Sequence, residues 1–246
     1  MSFERLPPAA PGEPGPTPGP AGAGTSEVTP AMRLQILSTE HWSLLASRNL
    51  AWNEAFSRTG IFLTALSGAI VALALVAQAT QFGEGFRLFG LVILPVVLFI
   101  GIGTQLRLDS SSYHDVLCII GMNRIRSAYL DIAPDLEPYF VMGTDDDFRG
   151  IELTMANPPN RSMLAAVVAA TPFLVTVLDA MLAGAIGALA AIQFGAAASP
   201  AVLIGVTLFV AAMAVQAALA RRDIRRVMGS HRPRFPAREA SEAAAE

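Results

Sequence analysis

The sequence lacks the residues that mark several common classes of protein. All seventeen basic residues are arginine, and the absence of lysine excludes a lysine Schiff base and a P-loop lysine. The single cysteine, Cys118, cannot form an intrachain disulfide, and no Cys/His spacing indicates a zinc site. Only 15% of the residues are charged, and the net charge of −3 argues against a nucleic-acid-binding protein.

Catalytic motifs are missing as well. There is no G-x-S-x-G, H-E-x-x-H or Walker motif, so we expect no enzymatic activity, no catalytic residue, no cofactor and no metal ion. The nearest candidates are His114 with Asp115, and the run Asp145 to Asp147. Adjacent helical residues point about 100° apart, and three consecutive aspartates lack the ligand spacing of a calcium loop. We interpret both as solvated surface; only His114 meeting an acidic side chain in one cytoplasmic pocket would favour an enzyme.

Hydrophobic residues are abundant, at 53% of the chain, and they are concentrated in long runs. Residues 59–83 and 88–106 carry no charge, and residues 162–220 carry only Asp179. Because a bilayer core about 30 Å thick needs roughly 20 apolar helical residues, these runs predict two transmembrane hairpins, 59–106 and 162–220. The predicted fold class is an all-α, integral membrane four-helix bundle with cytoplasmic amphipathic helices. The turn of the second hairpin is expected at residues 194–200.

The distribution of arginine predicts the topology. Sixteen arginines lie before the first span, between the two hairpins or after the last span, and only Arg87 lies in a short hairpin connection. This is a positive-inside pattern. It places both termini in the cytoplasm.

The cytoplasmic segments differ in character. Residues 1–30 are rich in Pro, Gly and Ala and predict a disordered tail. Residues 107–161 predict a helix that continues the second span as far as Ala133, followed by an acidic loop. Residues 221–246 predict a basic juxtamembrane segment and a second disordered tail.

Residues 31–58 predict an amphipathic helix that begins after Thr29, with proline at its first position. Its apolar stripe could lie in the lipid headgroup layer or pack on other cytoplasmic helices. Arg48 within the stripe favours a protein contact, because a carboxylate from the central loop could pair with it. His41 also falls in the stripe, and we expect it to be packed and hydrogen-bonded. The stripe consists of Leu34, Leu37, Trp42, Leu44, Leu45, Trp52 and Phe56.

Asp179 is the candidate functional residue within the membrane. A carboxylate at this depth costs roughly 2.5–3.5 kcal/mol and is by default a functional hypothesis. It begins one of two rows of small residues that would let helices approach closely, so we expect it to face another helix. The rows contain Ala183, Gly187 and Ala191, and Ala180, Gly184 and Ala188.

Two interpretations of Asp179 remain open. It is either a proton or cation site, or a protonated acid that is hydrogen-bonded within the bundle. Its candidate hydrogen-bond partners are Thr64, Ser67, Thr176 and Gln216.

A basic cluster follows the last span. It consists of Arg221, Arg222, Arg225 and Arg226. The cluster is either a topological anchor or a site for anionic lipid, to which each arginine would contribute about 1 kcal/mol.

Two segments carry a resemblance to known sequences. STEHWSLLASRNLAWNEAFSRTGIFLTALSGAIVALAL at 38–75 and GMNRIRSAYLDIAPDLEPYF at 121–140 resemble a family of uncharacterised bacterial four-transmembrane-helix proteins. The resemblance implies a bacterial inner-membrane location and supplies no catalytic residue.

Together these features predict a non-enzymatic scaffold, regulatory or assembly protein. The alternative is a small oligomeric channel or an ion- or proton-coupled transporter that uses Asp179. The expected partners are the lipid bilayer, further copies of the chain in a homo-oligomer and a cytoplasmic protein, with no nucleic acid.

Overall fold

The computed structural model describes residues 28–155 and 170–235, and all regular structure in these ranges is helical. This confirms the all-α prediction. The predicted disordered segments, 1–30 and the end of 221–246, lie largely outside the described residues. The elements are α1 (Pro30–Thr80), α2 (Glu84–Ile132), a 3-10 helix (Pro134–Tyr139), α3 (Phe148–Thr154), α4 (Thr171–Gln193) and α5 (Ala198–Ser230).

Four of the described helices, α1, α2, α4 and α5, are long and apolar enough to cross a membrane. Helices α1 and α2 contain 51 and 49 residues. At a rise of 1.5 Å per residue each is about 75 Å long, more than twice the thickness of a bilayer core. Each of them is therefore long enough to combine a membrane span with a long extramembrane part.

Several predicted boundaries are confirmed. The side chain of Thr29 caps α1 by accepting a hydrogen bond from the backbone N–H of Met32 at 3.3 Å, and Pro30 occupies the first turn. Helix α2 ends at Ile132, with Ala133 as its cap, because the following proline disfavours a helical conformation at the preceding residue.

The second hairpin differs from the prediction at its turn. Helix α4 ends at Gln193 and α5 begins at Ala198, so Pro200 lies in the first turn of α5 and not in the loop. Proline is tolerated there because the first N–H groups of a helix have no intrahelical partner. The predicted start of this hairpin, at residue 162, lies outside the described residues.

The contact between α1 and α2 is a coiled-coil seam that runs from the membrane span into the extramembrane part. The buried residues of α2 recur at alternating intervals of four and three, the spacing of a heptad seam. We name this row the α2 seam. It consists of Gly90, Leu94, Val97, Gly101, Thr104, Leu108, Ser111, Asp115, Cys118, Met122 and Ile125.

The second hairpin joins the first mainly where α4 packs on α2. Within the second hairpin α4 and α5 approach closely, since a Cβ on Gly184 would lie only 2.8 Å from the carbonyl oxygen of Gly205. At the other end of α4, Arg87 Nε donates a 3.0 Å hydrogen bond to Gln193 Oε1, which links the two hairpins near their turns. Helix α2 therefore contacts both α1 in its own hairpin and α4 in the second hairpin.

Candidate functional site

Asp179 lies on α4 at the contact with α2 and is 2% exposed. The α2 seam is open at this level, because Gly101 has no side chain. A Cβ on Gly101 would overlap the carboxylate of Asp179 and lie 2.8 Å from Cε2 of Phe62 on α1. Three helices therefore enclose the carboxylate, and it faces protein, as the sequence predicts.

The carboxylate has no hydrogen-bond partner among the residues that the structure describes. The four partners proposed from the sequence do not reach it, so that prediction is wrong. Thr64 and Ser67 are exposed and donate to carbonyl groups of their own helix. Thr176 Oγ1 instead donates to Gln216 Oε1 at 3.0 Å, one helical turn from Asp179.

This environment distinguishes Asp179 from an ordinary buried polar residue. Buried polar groups in proteins are almost always hydrogen-bonded, and an uncompensated buried charge costs several kcal/mol. A carboxylate enclosed in this way requires a proton, a cation or an additional polar partner to offset that cost. The geometry therefore singles out Asp179 as the candidate intramembrane site.

The rows of small residues on α4 have different surroundings. Ala180 and Gly184 are buried, and Ala183, Gly187, Ala188 and Ala191 are half-buried. Ala188 lies against α5, because its Cβ would be 3.1 Å from a Cβ built on Gly205, and Gly187 faces Leu208 and Ile204 of α5. Asp179 instead faces α2. The rows therefore allow close packing mainly within the second hairpin.

A charged network crosses the seam outside the membrane span. Arg48 on α1 pairs with Asp115 on α2 through two hydrogen bonds, the second of which joins Nη2 to Oδ2 at 3.3 Å. Trp52 Nε1 donates to Asp115 Oδ1 at 2.9 Å. The expected carboxylate partner of Arg48 is thus Asp115. Asp115 is only 7% exposed, so its interpretation as solvated surface is wrong.

The contact of α1 with α2 involves only part of the predicted apolar stripe. Leu37, Leu44, Leu45 and Trp52 are half-buried. Leu34, Trp42 and Phe56 are exposed by 48%, 67% and 51%. The pair Arg48–Asp115 lies between the half-buried Leu45 and Trp52 of this segment.

His41 packs near Tyr129 of α2, with ring centroids 6.3 Å apart. Its Nδ1 is buried without a hydrogen-bond partner in the described part of the chain, contrary to the expectation of a hydrogen-bonded ring. Burial, and the charge of Arg126, lower the pKa of His41. The neutral imidazole is therefore favoured at this position.

His114 lies one residue before Asp115 and faces a different group. Its Nε2 is 3.0 Å from Ser47 Oγ on α1 and 3.5 Å from Cys118 Sγ. Glu54 lines the same groove. However, Glu54 lies seven residues, or about 10.5 Å, from Ser47 along α1 and is paired with Arg58 and Arg107. His114 and an acidic side chain thus share a groove, but they are too far apart to share a proton.

Asp146 is fully buried in the loop before α3, where it binds the segment that follows α5. Its carboxylate accepts hydrogen bonds from the backbone N–H groups of Arg234 at 3.0 Å and Phe235 at 2.8 Å, and from Arg124 Nε at 2.7 Å. Its own backbone N–H donates to the carbonyl oxygen of Phe235 at 3.1 Å. We name this arrangement the tail anchor. The interpretation of Asp146 as solvated surface is therefore wrong.

The tail anchor is held on α2 by a second polar residue. Asn123 is fully buried; its Nδ2 donates to the carbonyl oxygen of Asp145, and its Oδ1 accepts from Thr154 and Arg126, all at 2.8 Å. The sequence reasoning did not single out Asn123. Its burial could have been predicted from its position next to Met122 of the α2 seam, in a helix that extends far beyond a membrane span.

The basic cluster begins in the extramembrane turns of α5. Arg221, Arg222 and Arg225 are exposed, and Arg226 belongs to the same helix. Asp223 lies between these arginines in the chain and close to Asp109 of α2. Burial and the charge of Asp223 raise the pKa of Asp109, whereas the hydrogen bond from Gln105 opposes this rise. The cluster therefore lies beside the end of the α2 span.

Comparisons with known proteins return no relative: no family model, no curated protein and no solved structure matches this chain.

The fit between Gly101 and Asp179 predicts a compensating pair of substitutions. Gly101→Ala should destabilise the protein by about 1–3 kcal/mol, because the added methyl group has no room in a closely packed contact. Removing the carboxylate in Gly101→Ala/Asp179→Ala should recover the part of this loss that comes from Asp179, while the close contact with Phe62 remains. Thermal unfolding of the purified protein in detergent measures both effects.

Gly103→Ala is the matched control. Gly103 is on the same helix, and an added Cβ there would meet nothing within 4 Å. We expect Gly103→Ala to leave the stability unchanged or to raise it by up to about 1 kcal/mol, because alanine is the better helix former. If Gly101→Ala were as stable as Gly103→Ala, the close contact between α2 and α4 would be wrong.

The tail anchor predicts a second measurable effect. Asp146→Asn should release the segment after α5. The amide has no charge to form an ion pair with Arg124, and only its oxygen, not its nitrogen, accepts hydrogen bonds. Hydrogen bonds to charged groups are worth about 1.5–3 kcal/mol, so the released fraction should rise about tenfold or more. A spin label attached through Arg232→Cys reports the mobility of the segment, and the burial of Cys118 limits background labelling.

The same label tests the pH dependence. Burial opposes the ionisation of Asp146, but the hydrogen bonds from Arg234, Phe235 and Arg124 outweigh it and lower the pKa of Asp146. The anchor is therefore fully formed above the ordinary aspartate pKa of about 3.9 and is lost as the pH falls through the lower folded-state pKa. Asp135→Asn, at an exposed aspartate, should leave the segment bound. A label that is equally mobile in all variants would contradict the anchor.

Proposed function

We propose that this chain is a polytopic protein of the bacterial inner membrane, with both termini in the cytoplasm, that scaffolds or assembles other components and catalyses no reaction. The four long apolar helices support a multi-pass membrane protein. The bacterial location rests on the resemblance of residues 38–75 and 121–140 to bacterial membrane proteins. No nucleic acid is proposed as a partner.

The arginine distribution supports the orientation. Arg87 is the one arginine in the short hairpin connections, against sixteen elsewhere. Arginine is favoured in short cytoplasmic loops. This orientation places the extramembrane parts of α1 and α2, and the tail anchor, together on the cytoplasmic side, where we propose that a partner protein binds.

The continuous α2 seam is the observation that carries the scaffold proposal. Membrane and extramembrane parts of α2 belong to one helix and pack on α1 throughout, so the extramembrane part is held rigidly on the spans. The pair Arg48–Asp115 and the tail anchor add polar contacts that fix the register of this part. A rigid platform with satisfied polar contacts suits binding and assembly.

The alternative function is a small oligomeric channel or an ion- or proton-coupled transporter. One observation favours it: Asp179 is buried between helices of both hairpins and lacks a hydrogen-bond partner among the described residues. Intramembrane carboxylates of this kind occur in proton and cation pathways.

Asp179→Asn separates the two functions. The amide has nearly the same shape and cannot carry a charge, so a scaffold should keep its oligomeric mass in detergent and its phenotype. Under the scaffold proposal, liposomes containing the wild-type protein show no H⁺, Na⁺ or K⁺ flux above that of empty liposomes. Wild-type flux that is abolished by Asp179→Asn but not by Asp135→Asn would overturn the scaffold and establish the alternative.

A further inference from the structure

A polar groove lies between α1 and α2 on the face next to the membrane boundary. Its volume is about 250 Å³, and both helices contribute its walls. We name it the serine groove. Its polar lining consists of Ser47, Glu54, Arg107, Ser110, Ser111 and His114.

The groove begins where the apolar spans end. Arg58 and Arg107 are the first charged residues before residues 59–83 and after residues 88–106. From Arg107 the groove extends seven residues along α2, or about 10.5 Å, to His114. The polar layer on each side of a bilayer is about 5–7 Å thick. The end of the groove at Arg107 therefore lies at the depth of the lipid headgroups.

The end of the groove at Arg107 carries an excess of positive charge. Glu54 accepts from Arg107 Nη2 at 2.5 Å and pairs with Arg58 at 3.2 Å, so two guanidinium groups share one carboxylate. In addition, Arg107 Nε is buried and has no hydrogen-bond partner among the residues that the structure describes. A buried N–H donor without an acceptor is costly, and the Arg107 side chain that carries it lines the groove.

The lining matches one ligand chemistry. Arginine beside a hydroxyl donor suits a phosphate group, which offers several acceptor oxygens and a negative charge. Ser47 Oγ is hydrogen-bonded with His114 Nε2, and Ser111 Oγ donates to the carbonyl oxygen of Ala51, so Ser110 is the hydroxyl of the lining that is left for a ligand.

A cation is disfavoured, because the carboxylate of Glu54 is already paired with two arginines. We propose that the serine groove binds the phosphate of an anionic phospholipid headgroup, with Arg107 as the charged donor and Ser110 as the hydroxyl donor in the wall that receives it.

Because the end of the groove at Arg107 lies at the depth of the headgroups, we favour a lipid phosphate over a soluble phosphate. This site does not depend on either of the functions proposed above. It also differs from the basic cluster on α5, whose described side chains Arg221, Arg222 and Arg225 are exposed. The cluster can attract anionic lipid by charge alone, whereas the groove combines the charge of Arg107 with the hydroxyl of Ser110 in a concave surface.

Lipid binding to the full-length protein in detergent tests the proposal. The delipidated protein is titrated with phosphatidylglycerol, and the first bound lipid is followed by native mass spectrometry. Arg107→Gln should weaken that lipid about tenfold or more, because it removes the charged donor. Arg222→Gln removes the same charge from an exposed position of the basic cluster and should weaken the first lipid less than Arg107→Gln does, by at most about fivefold, which corresponds to the roughly 1 kcal/mol of one surface arginine.

Ser110→Leu is the second variant and covers a failure of Arg107→Gln to fold. Ser110 is exposed in the groove wall, so leucine fills the groove and leaves the pair Arg107–Glu54 in place. It should weaken the first lipid as strongly as Arg107→Gln does. Equal effects of Arg107→Gln and Arg222→Gln, or no effect of Ser110→Leu, would overturn the proposal in favour of non-specific attraction.

Inorganic phosphate distinguishes the source of the ligand. If the ligand is a lipid, millimolar phosphate should not displace phosphatidylglycerol. Phosphatidylcholine should bind more weakly than phosphatidylglycerol, because its choline cation would lie near Arg58 and Arg107. Displacement by phosphate alone would show that the groove takes a soluble phosphate and would overturn the assignment to lipid.

Discussion

The packing of α1 on α2 is the constraint on which the other features depend. Residues at alternating intervals of three and four keep the two helices in contact far beyond the thickness of a bilayer. Small residues in the seam then leave space for other groups. Gly101 admits the carboxylate from α4, and Gly90 admits Leu189, whose Cδ1 would be 2.9 Å from a Cβ at that position. The seam thus also determines where the second hairpin can pack.

The seam changes character along its length, and this separates two kinds of polar residue. Outside the span, Asp115 is held by Arg48 and Trp52, so its charge is compensated. Within the span, Thr59 and Thr104 are buried but donate to carbonyl groups of their own helices, which satisfies their hydroxyls. Leu108 is fully buried between Thr104 and Ser111 and interrupts the polar positions. Leu108 therefore lies between the level of Asp179 and the extramembrane network.

Hydropathy and helix-end signals predict the outline of the fold because they are local. Uncharged runs indicate the spans, Thr29 and Pro30 indicate the start of α1, and the proline after Ala133 indicates the end of α2. The seam is harder to predict, since glycine, threonine, serine, aspartate and cysteine occupy positions where apolar residues are expected. Asp146 could not be distinguished from its two neighbours, because its partners Arg234 and Phe235 are 88 and 89 residues away in the chain.

The state of each buried polar group indicates which residues stabilise the fold and which can respond to a ligand. Asp115, Asn123 and Asp146 have their partners within the chain, and substituting them removes contacts that hold the helices and the tail together. Among the described residues, the buried side-chain atoms without a partner belong to Asp179 in the apolar span, to Gln105 and Arg107 near the end of the α2 span, and to His41. A folded protein keeps such groups at a cost, and a bound proton, cation or phosphate would offset that cost. Asp179 and Arg107 are therefore the positions at which a proton, a cation or a phosphate would act, whereas the extramembrane helices provide the surface on which we propose that a partner protein binds.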